Sequence, residues 1–531
     1  MFTRARIDAL QATLATDLLL FLPELVVAGG VVLLLLCRLV KPLDRTHLGG
    51  VAVAVLAVAL FAAAGETAAP GTPRDASYFG GMLAADPFAA FARTLLVAAA
   101  LLTVLLTRLT RIPDRADSGD FYVLLLGATL GMMLMAGANH LLTVFVAIEM
   151  ASLPSYALAG FLKGTRAGSE AALKYVVFGA AASGVMLYGI SLLAGTFGTG
   201  YLPDVAAGLA ARLGAHVGFD AVAAAGLALV LVGLGFKLAA VPFHFWCPDV
   251  FEGAAAEVAG FLSVASKAAA VVLTTRLLLT LQSAAGPEPA LLLPGTLGLA
   301  VGACGAVTVT FGNLAAFGQT NLKRLLAYST VAHAGYMMLG IGVMTAGGAA
   351  AVLYYLVAYL VMNLGAFAVV ALVRNATGSE DVAAVRGLVW RSPVAAVAMA
   401  LFLFSLLGFP PLAGFAGKFQ VFAAVSDAAR GATAAGRADL GVAFHVLLAV
   451  GAVNTAVSAY YYLRVVREMV LEDAAPQSEP TNAAGTGVGG SAFLGALAAL
   501  LVALGVAWNP LTGAADRAVA GFAPIDRVGK R

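Results

Sequence analysis

The chain has 531 residues, of which 61% are hydrophobic and only 11% are charged, and its formal net charge is +3 at pH 7. Soluble domains typically contain about 45–50% apolar and about 25% charged residues, so this composition excludes a water-soluble fold. The small positive charge gives no support for nucleic-acid binding, because the basic residues lie in short segments between long apolar runs.

Apolar runs follow one another along almost the whole chain. A helix needs about 20 apolar residues to cross a hydrocarbon core of about 30 Å. The sequence therefore predicts an all-α polytopic membrane protein, and the polar start of the chain favours a retained first helix over a cleaved signal peptide. The 14 predicted spans are approximately 17–37, 47–64, 86–107, 119–137, 139–162, 171–195, 219–243, 255–282, 291–311, 322–345, 348–373, 394–425, 440–465 and 491–508.

Lysine and arginine are unequally distributed between alternate loops. The even-numbered loops hold four of them, Arg74, Arg212, Arg430 and Arg437. The positive-inside rule therefore places the odd loops in the cytoplasm and both termini on the periplasmic side of a bacterial inner membrane, although the basic C-terminal tail argues the other way. The odd-numbered loops hold fifteen: Arg38, Lys41, Arg45, Arg108, Arg111, Arg115, Lys163, Arg166, Lys323, Arg324, Arg374, Arg386, Arg391, Arg464 and Arg467.

Ionisable residues in mid-span are the candidate functional residues, because a charge there costs at least a few kcal/mol and usually needs water or a partner. Glu149 lies near mid-membrane in the fifth span, five residues before Pro154. A protonated, hydrogen-bonded core carboxyl is the alternative interpretation. Lys174, near the cytoplasmic end of the sixth span, is either a proton entry point or a snorkelling anchor. Glu24, near the outer interface, is interpreted as structural.

The seventh and eighth spans carry three further candidates. Lys237 precedes Pro242 and Pro248, and each proline removes a backbone donor and is expected to break the helix. A broken helix at membrane depth must line a cavity or be covered by protein. His244, seven residues after Lys237, is either a relay or a cap for freed carbonyl groups. Lys267 is flanked by small residues that leave room for water, and a simple ion pair is the alternative.

A second proline interruption, at Pro410 and Pro411, precedes Lys418 in the twelfth span. One span in each half thus combines a broken helix with a buried lysine, which predicts two five-helix repeats, spans 4–8 and 9–13. Five helices per unit force the second repeat to be inverted, as in transporters that handle ions near the midplane. The predicted division is an N-terminal three-helix segment at 1–118, a first half at 119–282, a second half at 291–470, a flexible loop at 471–490, and a last helix with its tail at 491–531.

These residues are suited to moving protons. A buried lysine releases its proton more readily than an exposed one, and a nearby carboxylate opposes that release. A change in the separation of Glu149 and Lys237 would therefore switch proton affinity, and water chains through His244, Lys267 and Lys418 could carry the proton laterally and out. His333, in the tenth span, is either a further relay or an ordinary hydrogen-bonded helix residue.

No motif for redox cofactors, nucleotides or metals is present. Cys37, Cys247 and Cys304 are far apart and have no C-x-x-C spacing for iron–sulfur or zinc ligands. No G-x-G-x-x-G follows a strand, and the Gly417-Lys418 pair lacks the earlier glycine of a phosphate loop. The sequence predicts neither a bound cofactor nor a metal site in this chain.

Five segments make the chain similar to a known family. They are LTVFVAIEMASLPSYALAGF, EAALKYVVFGAAASGVMLYGISLL, KLAAVPFHFWCPDVFEGA with FLSVASKAAA, GNLAAFGQTNLKRLLAYSTVAHAGYMMLGI and GFPPLAGFAGKF. On these segments the chain resembles the subunit N family of bacterial NADH-quinone oxidoreductases (complex I), relatives of multisubunit cation/proton antiporter subunits. The run W-x-P-D-V-[YF]-E-G-A favours this family over the sister membrane subunits.

The resemblance implies 14 helices and a proton channel through Glu149, Lys237, Lys267 and Lys418. The span-6 lysine of the family falls on Lys174, and the histidine after the span-7 break falls on His244. The implied function is proton translocation across the inner membrane, coupled to quinone reduction elsewhere in the complex. NADH, FMN, iron–sulfur clusters and quinone would be bound by other subunits, and the implied partners are antiporter-like and small membrane subunits, the lipid bilayer and protons.

One segment departs from the family. Pro-Thr-Pro or a close variant usually follows the E-G-A run there, whereas this chain reads GAAAEV, with Glu257. The departure is expected to alter the bend between the seventh and eighth spans. The alternative function is a subunit of a multisubunit cation/proton antiporter. A sodium site would need carbonyls and carboxylates, and Glu149 is the only acid that the sequence places deep in the membrane. A purely structural scaffold would not need four mid-span charges.

Overall fold

The structure is a computed structural model that describes residues 4–40, 46–68, 77–114, 117–162, 164–214, 221–284, 294–472 and 487–522. These residues are helical apart from short connections and one hairpin, in which β1 (Ser77–Tyr78) pairs antiparallel with β2 (Leu83–Ala84). Several predicted features lie outside the described residues, namely most of the loop predicted at 471–490 and the basic residues Lys41, Arg45, Arg74, Arg115 and Lys163.

The helices pack as one bundle. The first ten are α1 (Arg4–Leu20), α2 (Leu22–Leu39), α3 (Gly49–Ala68), α4 (Pro87–Thr110), α5 (Ser118–Gly137), α6 (Leu141–Ala159), α7 (Arg166–Phe197), α8 (Leu202–Gly214), α9 (Ala221–Leu238) and α10 (Trp246–Gly253). They are followed by α11 (Ala256–Ala284), α12 (Gly295–Ala316), α13 (Leu322–Gly342), α14 (Ala346–Thr377), α15 (Leu388–Arg391), α16 (Pro393–Leu407), α17 (Ala413–Ala434), α18 (Ala438–Val470), α19 (Gly487–Val506) and α20 (Asn509–Val519).

Twelve helices among the described residues are long and apolar enough to cross a membrane. The all-helical polytopic fold is therefore confirmed. The predicted tenth span falls on α13, which is more polar than these twelve because it contains Lys323, Arg324 and His333. The predicted twelfth span falls on two separate helices, α16 and α17. The predicted first span begins too early, since α1 is a helix of its own and α2 starts at Leu22, with Pro23 in its first turn, where proline is favoured.

The seventh span breaks where Pro242 predicts it. Helix α9 ends at Leu238, Ala239 takes a positive φ of 54°, and a run of turns leads to α10. The carbonyl oxygen of Phe236 accepts from the Ala239 N–H at 2.9 Å and from the Trp246 indole at 3.0 Å, which ties the end of α9 to α10. Pro248 does not contribute to the break, because it lies in the first turn of α10, where its missing N–H is not needed.

The second break lies between α16 and α17. Gly408 caps α16 with φ +93°, a conformation that favours glycine, and a Cβ atom there would lie 3.0 Å from the Lys418 side chain. Between the two breaks, α11 and α14 run through the middle of the bundle and are enclosed by the other helices. Helix α11 contains a π-helical turn, Leu262–Ser266, that ends immediately before Lys267. Such turns occur frequently at functional sites.

Candidate functional site

Glu149 and Lys237 lie at the first break. Glu149, on α6, is half-buried, and its Oε1 atom accepts a hydrogen bond from the Ser183 hydroxyl of α7. Lys237, one residue before the end of α9, is buried, and its ammonium has no hydrogen-bond partner among the described residues. The negative charge of Glu149 acts on this ammonium. The first break therefore holds an unbonded amine under the influence of one carboxylate.

His244 and Lys267 continue the series toward the middle of the bundle. The imidazole of His244 is buried, with ring centroids 4.4 Å from those of both Phe245 and Phe311, and its Nδ1 atom has no partner among the described residues. The charge of Lys267 acts on it. Lys267 itself donates to the backbone carbonyl oxygen of Thr330, on α13, at 3.3 Å. Lys267 thus joins the first half of the chain to the second.

His333 is the centre of a polar cluster in the second half. Its Nδ1 atom lies 2.6 Å from the Tyr355 hydroxyl, and its Nε2 atom lies 3.2 Å from the Tyr462 hydroxyl, which contacts the Ser329 hydroxyl at 2.5 Å. Lys267 contacts the carbonyl of Thr330, three residues before His333, and Lys418 lies over the ring of Tyr336, three residues after it. His333 therefore lies between the two lysines along α13, and an imidazole can accept or donate a proton.

Lys418 lies just after the second break and is buried. Its ammonium donates to the carbonyl oxygens of Leu406 and Leu407, each at 3.0 Å, and lies 4.4 Å from the centroid of the Tyr336 ring. Those carbonyls are the last of α16 and have no partner within the helix. The ammonium is held by the negative end of a helix and by an aromatic face, both of which attract a cation.

Lys174 does not lie with these residues. Its ammonium contacts Asp249 at 2.5 Å and Glu170 at 2.8 Å, and the other carboxylate oxygen of Asp249 lies 2.6 Å from Arg324. Burial would raise the pKa of Asp249, but the hydrogen bonds from Lys174 and Arg324 lower it below the ordinary value. Arg324 also contacts Glu252 at 2.6 Å. The network ties α7, α10 and α13 together near the basic loops.

Glu149 is not the most buried acid among the described residues. Glu24 and Glu257 are fully buried, whereas Glu149 is half-buried. Glu24 lies 3.0 Å from Arg93, whose guanidinium also contacts Glu66 at 2.6 Å. Glu24 is buried because α2 packs against α3 and because Arg93 of α4 pairs with it. This ion pair supports the interpretation of Glu24 as a structural residue.

Sequence reasoning missed two buried arginines, Arg93 and Arg276. Arg276, on α11, makes a bidentate pair with Asp86, with N–O distances of 2.7 and 2.8 Å, and also donates to the carbonyl oxygen of Ala136 at 2.9 Å. Each arginine is a lone charge in an apolar run, and this is the signal that singled out Lys237 and Lys267. Within the described residues, no three His, Cys, Asp or Glu side chains come together in a way that could hold a metal ion.

Known proteins match this chain over the region that holds the buried lysines. The profile of the family described as NADH:quinone oxidoreductase/Mrp antiporter, TM, matches residues 138–435, a range that contains Glu149, Lys237, Lys267 and Lys418. The NADH-quinone oxidoreductase subunit N of Anaeromyxobacter sp. strain Fw109-5 is 43% identical over 92% of this chain and 94% of its own length.

Solved structures of related complexes contain chains with the same fold. A chain of respiratory complex I from Thermus thermophilus with bound aureothin superposes with a TM-score of 0.70 at 32% identity, covering 92% of this chain and 98% of that chain. A chain of the Mrp complex from Dietzia sp. DQ12-45-1b superposes with a TM-score of 0.77 at 22% identity, covering 95% of this chain and 97% of that chain, and this likeness concerns the fold alone.

Proposed function

Because this chain belongs to the subunit N family of NADH-quinone oxidoreductases, within the NADH:quinone oxidoreductase/Mrp antiporter family, we propose that its buried lysines form the route along which it moves protons. It is a proton-translocating, antiporter-like membrane subunit of complex I. One observation carries the proposed route: buried ionisable groups lie at the first helix break, at the π-helical turn and at the second break. Burying an ionisable group inside a membrane protein costs free energy, and such groups usually mark ion or proton pathways.

Each residue has a role in this route. Glu149 holds the proton on Lys237 when the two charges are close and releases it when they separate. The proton then passes from Lys237 through His244 to Lys267, and through His333 to Lys418. Lys174 is a secondary group, because its salt bridges with Asp249 and Glu170 place it beside the basic loops rather than on the line of buried lysines.

The position of Glu149 indicates where the driving energy enters. A half-buried carboxylate in mid-span cannot face lipid hydrocarbon at a reasonable cost. We infer that a neighbouring antiporter-like or small membrane subunit covers α6 and α7 at this point. Moving one charge against the membrane potential takes about 2.3 kcal/mol per 100 mV, so the energy must come from quinone reduction elsewhere in the complex. NADH, FMN, iron–sulfur clusters and quinone are assigned to other subunits.

The two halves are proposed to be inverted five-helix repeats. This interpretation is supported by the two helix breaks, each beside one buried lysine, in the predicted halves 119–282 and 291–470. With α13 and the α16–α17 pair counted as crossings, the chain has 14 spans. The basic loops then lie in the cytoplasm and both termini on the periplasmic side of the inner membrane. A subunit of a cation/proton antiporter is the weaker alternative: the family model includes such subunits, but the relative at 43% identity is a subunit N, whereas the Mrp chain matches at 22%.

The test is proton pumping by the complex reconstituted in liposomes, with Lys237→Ala in this chain. We expect pumping to be lost while electron transfer from NADH to a quinone analogue, measured with an uncoupler present, is retained. Undiminished pumping would contradict the role given to Lys237.

A further inference from the structure

Glu257 is a fully buried carboxylate at the start of α11, in the segment where the chain departs from its family. One oxygen, Oε1, lies 3.3 Å from the guanidinium of Arg374, near the end of α14. The other, Oε2, is buried and has no hydrogen-bond partner among the described residues. Arg374 is only partly buried, with 15% of its side chain exposed, so it connects Glu257 to the surface that carries the basic loops. Burying a carboxylate oxygen without a hydrogen bond costs free energy, so this arrangement calls for a functional explanation.

Polar groups connect Glu257 to Lys267 along the contact between α11 and α14. Asn363, eleven residues or about three turns before Arg374, lies on the same face of α14 and donates to the Ser263 hydroxyl of α11 at 2.6 Å. The side-chain oxygen of Asn363 is buried and has no hydrogen-bond partner among the described residues. Ser263 lies between Glu257 and Lys267, which are ten residues, or about 15 Å, apart along the helix.

The same contact continues to the lysine itself. Tyr359, one turn before Asn363 on α14, donates to the Thr330 hydroxyl at 3.0 Å. The backbone carbonyl of Thr330 is the group that accepts from Lys267. Ser263, Asn363, Tyr359 and Thr330 are therefore buried polar groups along the α11–α14 contact on the way from the carboxylate to the amine.

We propose that Glu257 is a proton-uptake residue of this chain, which takes a proton from the cytoplasmic side and passes it along the α11–α14 contact to Lys267. The inference rests on the proposed function, because it supplies the relay lysine with its proton. In the first step a hydronium ion near Arg374 gives its proton to Glu257 Oε2: one hydronium O–H bond breaks, an O–H bond forms at Oε2, and water is left. In the second, that bond breaks, the proton moves along the hydroxyl groups, and an N–H bond forms on the neutral amine of Lys267.

The other charges around Glu257 are already engaged. Lys323, on α13, donates to the carbonyl oxygen of Ala254 at 2.6 Å and contacts Glu380, in the segment after α14, at 2.7 Å. Arg374 supplies the second positive charge, and Glu380 is partly exposed. Two cations and two carboxylates thus meet at this end of the bundle, and Glu257 is the buried acid among them that has an unbonded oxygen. A purely structural Glu257 would instead stabilise the first turn of α11 and bind α14.

The experiment uses the complex reconstituted in liposomes with Glu257→Gln in this chain. Glutamine keeps the shape and can still bind Arg374, but it cannot carry a proton. We expect the pumping rate through this subunit to fall at least about tenfold, less than the roughly 100-fold of a lost acid–base group because water can still bring protons to Lys267. The remaining pumping should decrease further as the pH on the cytoplasmic side rises from 6 to 8, because protons must then reach Lys267 without a collecting acid. Glu257→Asp should restore most of the rate.

The matched control is Glu380→Gln, which removes a partly exposed carboxylate at the same end and should leave pumping unchanged. If the complex with Glu257→Gln does not assemble, Ser263→Ala tests the same inference. This variant interrupts the path without removing a charge, and we expect it to slow pumping severalfold. Pumping by Glu257→Gln at the wild-type rate and pH dependence would overturn the inference. Lys267→Ala distinguishes failure of the Glu257 inference from failure of the proposed function. Loss of pumping in Lys267→Ala supports the proposed route even if Glu257 has no role, whereas wild-type pumping would overturn both.

Discussion

The two helix breaks place a lysine in similar positions but in different surroundings. At the first break, the ammonium of Lys237 is buried without a hydrogen-bond partner, and one carboxylate, Glu149, acts on it. At the second, the ammonium of Lys418 is bonded to the carbonyls of Leu406 and Leu407 and lies over the Tyr336 ring. Lys418 has no acidic residue acting on it among the described residues.

These different surroundings suit the two lysines to different steps of the proposed route. Lys237 can lose its proton without breaking a hydrogen bond to any described residue, and on the proposed route Glu149 controls that loss. Lys418 must give up part of its attraction to the negative end of α16 when it becomes neutral. The first lysine is therefore suited to control by a moving carboxylate, and the second is suited to retain a proton until another positive charge approaches. His333, which lies between Lys267 and Lys418 along α13, is the group through which that charge can approach.

The largest effect is expected from Lys237→Arg. Arginine keeps the positive charge beside Glu149 but does not release its proton. If Lys237 acts by changing its charge, pumping through this subunit should fall about a hundredfold, as for a lost acid–base group. Proton uptake by liposomes containing the complex measures this, and electron transfer with an uncoupler is the control. Wild-type pumping would mean that a fixed cation is sufficient at the first break.

The next effect distinguishes the two breaks directly. Lys418→Gln keeps a donor for the carbonyls at the end of α16, whereas Lys418→Leu leaves them unpaired. Both should slow pumping about tenfold or more, since neither carries a proton. Only leucine should also lower the thermal stability of the complex, by about 1–3 kcal/mol for each buried carbonyl left without a partner. Lys237→Leu is the matched control and should cause no such loss, because Lys237 makes no hydrogen bond to any residue that the structure describes. Equal destabilisation by the two leucine variants would remove the distinction.

Sequence alone predicted the lysines and the breaks, but it did not predict their surroundings. Pro242, Pro410 and Lys418 can be recognised because a proline inside an apolar run, or a charge in one, is visible locally. The carbonyls that hold Lys418 come from the helix before it, and their direction depends on how the chain turns at Gly408. Sequence spacing does not specify that turn.

The same limit explains why the sequence did not predict which acids are fully buried or which residues pair. The hydrogen-bond partners of His333 are Tyr355 and Tyr462, which are 22 and 129 residues away in the chain. Arg276 pairs with Asp86, 190 residues away. Glu149 is half-buried and Glu257 fully buried because of the packing between helices, which hydropathy does not contain.

A smaller effect is expected from Ser183→Ala, which removes the hydroxyl that donates to Glu149. The carboxylate is then no longer held toward α7, and its effect on Lys237 becomes less well defined. We expect pumping to fall about fivefold, equivalent to the roughly 1 kcal/mol that a typical hydrogen bond contributes. Ser191→Ala is the control, since Ser191 is an exposed serine on the same helix. An unchanged rate in Ser183→Ala would show that Glu149 does not need to be positioned.

The smallest effect is expected outside the two breaks, at Asp249. The pKa of this carboxyl is lowered by Lys174 and Arg324, so its contribution to stability is fully present above the unfolded pKa of about 3.9 and is lost as the pH falls through the lowered value. Because the site is partly exposed and screened by solvent, Asp249→Asn should cost about 1 kcal/mol or less at pH 7.

The measurement is the thermal midpoint of the purified complex as a function of pH. The difference between wild type and Asp249→Asn should be constant from pH 7 to 5 and should shrink only below about pH 4, where the wild-type carboxylate becomes protonated. Asp439→Asn, which removes an exposed partner of Arg437, is the control and should leave the midpoint unchanged. Pumping at pH 7 should remain close to wild type in both variants, since neither carboxylate lies on the proposed route through the lysines at the breaks. A large loss of pumping in Asp249→Asn would instead place Lys174 on the main route and extend the functional difference between the two halves to the end that carries the basic loops.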